Sequence, residues 1–177
     1  LKQAQRSKGL HLSSSMQQAL EHVGECKRCN TYTEETLCTI CQNPKRNPNQ
    51  LCILETPADI VAIEQTHSYN GVYHVLHGHL SPLDGIGPDE IGIPNLLQRL
   101  TNENINEIII ATNPTMEGKA TAHYIASQLN DTTLKISQLA YGVPLGGEIE
   151  YLDGHTLAHA LQTRLPFKTT HSQKTEN

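Results

Sequence analysis

Residues 108–129 read IIIATNPTMEGKATAHYIASQL, and the interpretation of this junction decides the fold. The apolar run ending at Ala111 reads as a strand, and the pattern beyond Thr115 reads as a helix. The carboxyl end of such a strand is where open α/β sheets place their chemistry. The residues found there, Asn113, Pro114 and Thr115, are all neutral. Asn113 suits the N-cap of the helix, Pro114 its first position, and Glu117 the positive end of its dipole.

Working outward, the same grammar repeats. LCILE (51–55) reads as a buried strand, PADIVAIEQT (57–66) as a helix with Pro57 in its first turn, and VYHVL (72–76) as a second strand. A Gly/Pro-rich loop follows, then a helix marked by Leu96, Leu97 and Leu100, the strand EIIIA (107–111), and a last strand KISQLA (135–140). This βαβαβαβ order predicts a mostly parallel sheet flanked by helices. Residues 141–154 read as a loop with a short strand, and 155–165 as a final helix with Leu157, Leu161 and Leu165 four apart. The polar tail from Lys168 is expected to be disordered. At the other end, Ser15 is expected to cap a short helix bearing Met16, Ala19, Leu20 and Val23, stopped by Gly24.

The strongest chemical signal is CKRCNTYTEETLCTIC (26–41). Two Cys-x-x-Cys pairs, Cys26 with Cys29 and Cys38 with Cys41, chelate from two tight turns and complete a tetrahedral thiolate set for one structural zinc. Four cysteine ligands leave no open position for catalysis. The intervening loop has too little apolar content to fold without metal. A thiol redox pair is the competing reading. The fifth cysteine, Cys52, falls in a buried strand and reads as a packed hydrophobe.

The net charge of −5 speaks against a uniformly basic nucleic-acid binder, but the charges are unevenly spread. Residues 1–46 carry seven cations (Lys2, Arg6, Lys8, Lys27, Arg28, Lys45 and Arg46) against four Glu, whereas the remainder carries six against fourteen acids. A basic front on an acidic body suggests two partners, with the seven cations as candidate DNA-phosphate contacts. No apolar run reaches the roughly 18 residues of a membrane helix. The clustered cysteines, with no signal peptide in view, point to the cytoplasm.

Two carboxylates bracket the first strand–helix junction, Glu55 at the strand end and Asp59 one turn into the helix. A Glu here with an Asp-x-Asp at the end of the third strand would hold Mg²⁺. That arrangement resembles the Toprim domain of topoisomerases and primases, but Asn113 and Thr115 stand where the two aspartates belong. His77 and His79 invite a metal reading too, though loop hydrogen bonding is the simpler one.

The strings ETPADI (55–60), GHLSPLDGIGPDEIGI (78–93), ATNPTMEGKATAHYI (111–125) and GVPLGGEIEYLDGHTLAHAL (142–161) together closely resemble the RecR family of bacterial recombination mediators. The resemblance implies a non-catalytic protein that assembles as a dimer or tetramer into a clamp on DNA. It also implies action with RecO and RecF to load RecA on gapped DNA, with Glu55, Asp59 and Glu117 meeting a basic region of RecO. On this reading residues 1–25 are the remnant of a helical DNA-binding region (a helix-hairpin-helix in the family) and 26–41 the zinc finger. The Toprim domain spans 49–145, an oligomerisation segment 146–166, and the tail 167–177. The family's Walker B-like segment falls at Ile149–Asp153, but no phosphate-cradling Gly-x-x-x-x-Gly-Lys loop accompanies it. The competing class is a Mg²⁺-dependent Toprim nuclease or topoisomerase/primase-like enzyme.

Overall fold

A computed structural model describes residues 3–129 and 133–165, so Lys2 and the tail from residue 167 lie outside the described residues. The chain divides into two compact units after Leu139. The first opens with helix α1 (Gln3–His22), much longer than the short helix expected from Ser15. The residues ahead of Ser15 are mostly good helix formers, and Leu12, Met16 and Leu20 continue one stripe at i, i+4 spacing, so the helix runs through the expected cap. That stripe is turned to solvent among the described residues: Leu12, Met16 and Leu20 are 61%, 60% and 86% exposed.

The finger follows, made of the two-residue strands β1 (Gly24–Glu25) and β2 (Tyr32–Thr33) and the one-turn helix α2 (Thr39–Gln42). Then come β3 (Asn47–Leu54), α3 (Pro57–Gln65), β4 (Gly71–Val75), α4 (Ile93–Asn102), β5 (Glu107–Ile110), α5 (Met116–Gln128) and β6 (Lys135–Gln138). Strands β3 to β6 form one sheet in the order β4-β3-β5-β6, and every pairing is parallel. The fold class expected from the sequence is therefore present.

Strand alternation sorts the core into two layers. Leu51 and Ile53 face one way with Val72, Ile108 and Ile110, and are covered by Ile93 and Leu96 of α4 and Ile125 of α5. Cys52 and Leu54 face the other way with Tyr73 and Val75, and are covered by Ile60 of α3 and by the finger cysteines. The finger is thus part of the core rather than an appendage.

The second unit holds a 3-10 turn (Ile149–Tyr151) where a short strand was expected, and helix α6 (Gly154–Gln162). Asp153 caps α6, accepting from Thr156 N–H at 2.9 Å and Thr156 Oγ1 at 2.6 Å. These bonds hold the Asp153 carboxyl below the usual range. The acid of the Walker B-like segment is therefore engaged in capping.

Candidate functional site

The zinc centre is built by backbone turns. Asn30 sits in the left-handed region (φ 64°) and donates its N–H to Cys26 C=O, closing the first knuckle so that Cys26 and Cys29 point inward together. Cys38 N–H points at Cys26 Sγ (3.3 Å) and Cys41 N–H at Cys38 Sγ (3.5 Å). The four sulfurs lie within 4.8 Å of one another, and all four residues are buried. A tetrahedron of zinc–sulfur bonds of about 2.3 Å places its sulfurs about 3.8 Å apart, so the donor set fits the ion. The thiols are unequal without metal. The hydrogen bond with Cys41 and burial push Cys29 up. Burial also pushes Cys26 up, but backbone N–H groups outweigh it and bring that thiol to about 7.

The finger also closes the exposed edge of the sheet at β4. Val75 N–H donates to Cys29 C=O (2.9 Å), and Asn30 Nδ2 donates to Val75 C=O (3.2 Å). From the other side, Arg99 of α4 donates Nη1 to Tyr73 C=O (2.6 Å). Arg28 joins them by a two-pronged ion pair with Glu103 (2.9 and 3.0 Å), which also accepts from Arg99 Nε (3.1 Å). Burial pushes the Glu103 carboxyl up, but the two guanidiniums outweigh it and hold it below the usual range. His74 lies beside this group, 2% exposed, and burial together with the Arg99 charge pushes its imidazole down to about 3.

At the strand ends the arrangement differs from the expectation in an instructive way. Asn113 does not cap α5. Thr115 does, accepting from Gly118 N–H at 3.0 Å, and Pro114 precedes the helix. Asn113 turns back to Glu55, donating its N–H to Oε1 (2.8 Å) and Nδ2 to Oε2 (2.7 Å). His79 Nδ1 stands 3.3 Å from Oε2. Glu55 is only 3% exposed, so its carboxylate is a buried, saturated acceptor rather than an acidic contact at the surface. Asp59 is half-buried and accepts from Thr56 N–H (2.8 Å) and Thr56 Oγ1 (2.9 Å) in a capping box, whereas Glu117 is exposed. Among the described residues, only the cysteines bring three or more His, Cys, Asp or Glu side chains together for a metal. His77 and His79 do not converge: His77 Nε2 lies 2.6 Å from Asn30 C=O.

Gly118 completes this site. A Cβ there would lie 2.1 Å from Asn113 C=O and 2.7 Å from Glu55 Oε1. Gly118→Ala is expected to destabilise the chain by about 3 kcal/mol through overpacking against backbone; an unchanged urea midpoint would show that the junction tolerates the methyl. A glycine in the first turn of a helix, costly by propensity, was the sequence signal for this close approach.

The candidate DNA contacts are scattered. Arg6 and Lys8 are exposed on α1, and Lys27 and Lys45 are exposed beside the finger. Arg28 is committed to Glu103, and Arg46, 11% exposed, is committed to Glu64. Arg99, Glu103 and His74 were not singled out in the sequence, because the partners that tie them to the finger and the sheet lie tens of residues away; His79 was, but as a metal candidate and not as a neighbour of Glu55.

Family models match each part of this arrangement: the RecR four-cysteine zinc finger domain at 23–43, the Toprim domain at 49–140, and the RecR C-terminal segment at 142–164. A "Recombination protein RecR" of Coxiella burnetii is 65% identical over 161 residues, covering 91% of this chain and 80% of the relative. The chain belongs to the RecR family. A second RecR, from Legionella pneumophila strain Philadelphia 1, is 52% identical over 164 residues, covering 93% of this chain and 82% of that protein. The four cysteines are accordingly those of the RecR finger, and they hold one structural zinc. No helix among the described residues is long and apolar enough to cross a membrane.

Proposed function

We propose that this chain is a recombination and DNA-repair mediator, without catalysis of its own, that works in the cytoplasm as an oligomeric clamp on DNA. It acts with RecO- and RecF-type mediators to load RecA on gapped DNA. The observation that carries the non-catalytic reading is Glu55, whose carboxylate is occupied by Asn113 and His79. A Toprim enzyme needs that carboxylate, with a second acidic pair, for Mg²⁺. Here Asn113 and Thr115 are neutral, and Thr115 is committed to capping α5.

Self-association is supported by two apolar sets turned to solvent. One is the α1 stripe; the other comprises Leu145, Ile149, Tyr151 and Leu161 of the second unit, each at least 60% exposed. Exposed Lys27 and Lys45 supply the DNA-phosphate contacts, while Glu117 and the rim formed by Asp59 face the basic partner.

Lys27→Glu with Lys45→Glu is expected to weaken single-stranded DNA binding about tenfold and to flatten its salt dependence, leaving RecO binding unchanged. Glu117→Lys is expected to do the reverse, read by titration calorimetry with RecO. If neither substitution moved its own partner, this division of labour would be wrong. The enzyme reading has its own decisive result: Mg²⁺- or Mn²⁺-dependent cutting of labelled DNA, abolished by Glu55→Gln.

A further inference from the structure

Between the first zinc knuckle and α4 lies a polar cleft of about 380 Å³ that nothing above puts to use. That volume is at the small end of the roughly 300–1,000 Å³ typical of ligand sites. Lys27 stands on the knuckle side. On the α4 side, Asn95, Gln98 and Asn102 lie at i, i+3 and i+7, so three exposed carboxamides form one row facing the cleft. The opposite face of α4 is the apolar one that carries Ile93 and Leu96 into the core.

The cleft's charge is only partly settled internally. Arg28 and Arg99 share the single carboxylate of Glu103, which leaves one surplus positive charge there beside the exposed cation Lys27. The lining is thus net positive, which suits a phosphate, while the amides make up the rest of its exposed polar surface. Carboxamides present a donor and an acceptor side by side, which matches the edge of a nucleic-acid base. In a duplex such edges lie in grooves; in a single strand they can be splayed outward. No Phe, Tyr or Trp is among the lining residues described, and the one imidazole there, His74, is buried, so recognition would run through base edges rather than stacking.

A second feature points the same way. His74 also lines the cleft, and its Nδ1 has no hydrogen-bond partner among the described residues. Its Nε2 has only a long contact, 3.5 Å, to Asn30 Nδ2. Buried polar atoms without partners are uncommon enough to ask for a reason, and a polar occupant of the cleft supplies one.

We propose that this cleft takes one unstacked nucleotide of a DNA single strand, its phosphate on Lys27 and its base edge along Asn95, Gln98 and Asn102. The inference rests on the DNA-binding reading given above and makes it specific for single strands at this point.

The test uses fluorescence anisotropy with three labelled probes: a mixed-sequence single strand, its all-abasic counterpart and the matching duplex. Gln98→Ala with Asn102→Ala changes only exposed side chains, and an unchanged melting temperature would verify folding. The pair is expected to weaken binding to the single strand about tenfold, with the abasic strand and duplex unaffected and the salt slope unchanged. Lys27→Ala should weaken the intact and abasic strands alike and reduce the slope by about 0.7. If the amide pair bound the intact strand as the wild type does, or lost the abasic strand equally, the base-edge site would be overturned while the mediator reading stood. If the wild type bound no DNA, both would fall.

Discussion

Removing zinc, by chelation or by Cys29→Ser, is expected to unfold the finger and to open the sheet beside it. The finger has only two-residue strands and a single helical turn, so the metal supplies most of what holds it together. In small finger peptides that contribution is about 10–16 kcal/mol, comparable with the whole stability of an ordinary domain, about 5–15 kcal/mol. The damage would not stop at residue 43, because the four cysteines share one core layer with Cys52, Leu54, Tyr73 and Val75. The Val75 N–H would lose Cys29, and the Val75 carbonyl would lose Asn30. Hydrogen exchange should therefore show loss of protection along β4, accompanied by a fall in melting temperature. A zinc-free chain with native melting and a protected β4 would refute this account. Retention of one zinc per chain through mild oxidation would exclude the thiol-redox alternative.

The second large effect is expected from Asn113→Asp, which returns an acid to the position where active Toprim domains carry one. At pH 7.5 this replaces the amide 2.7 Å from Glu55 Oε2 with a second carboxylate, in a site where Glu55 is 3% exposed. Loss of a partner from a buried charge costs about 3–5 kcal/mol, and the like charge adds to that. The two acids can coexist only if they share a proton, so the pair's apparent pKa in the folded chain is raised above its unfolded value. Stability should thus be near wild type when the shared proton is bound, around pH 4 to 5, and should fall as pH rises through the raised value. Added Mg²⁺ should recover part of the loss at pH 7.5 in the variant and leave the wild type unmoved. Equal urea midpoints for both proteins at pH 7.5 would remove Asn113 from its assigned role as the neutral partner of Glu55.

The sheet and the finger were legible because their signals are local. LCILE and EIIIA are apolar runs that only a doubly covered strand accommodates, and the cysteine spacing carries its own geometry. The junction after β5 was half legible. Asn113 and Thr115 are both good caps by type, and only the pull of Glu55, 58 residues away, decides that Thr115 caps while Asn113 turns back. The joining of Arg28 to the i, i+4 pair Arg99 and Glu103 was not legible, since the Arg28–Glu103 separation of 75 residues leaves no periodic trace. The length of α1 was missed for a different reason: Ser15 looks like a cap, but the residues before it are mostly good helix formers and carry the helix through it.

The contacts that Cys29, Asn30 and Arg99 make with β4 carry a consequence for handling the protein. A parallel sheet whose outer strand shows bare amides and carbonyls is a template on which further strands add. The finger acts as a stopper on that template, and the stopper is only as durable as its metal. Preparations depleted of zinc should therefore lose solubility before any assay of DNA or partner binding registers a change.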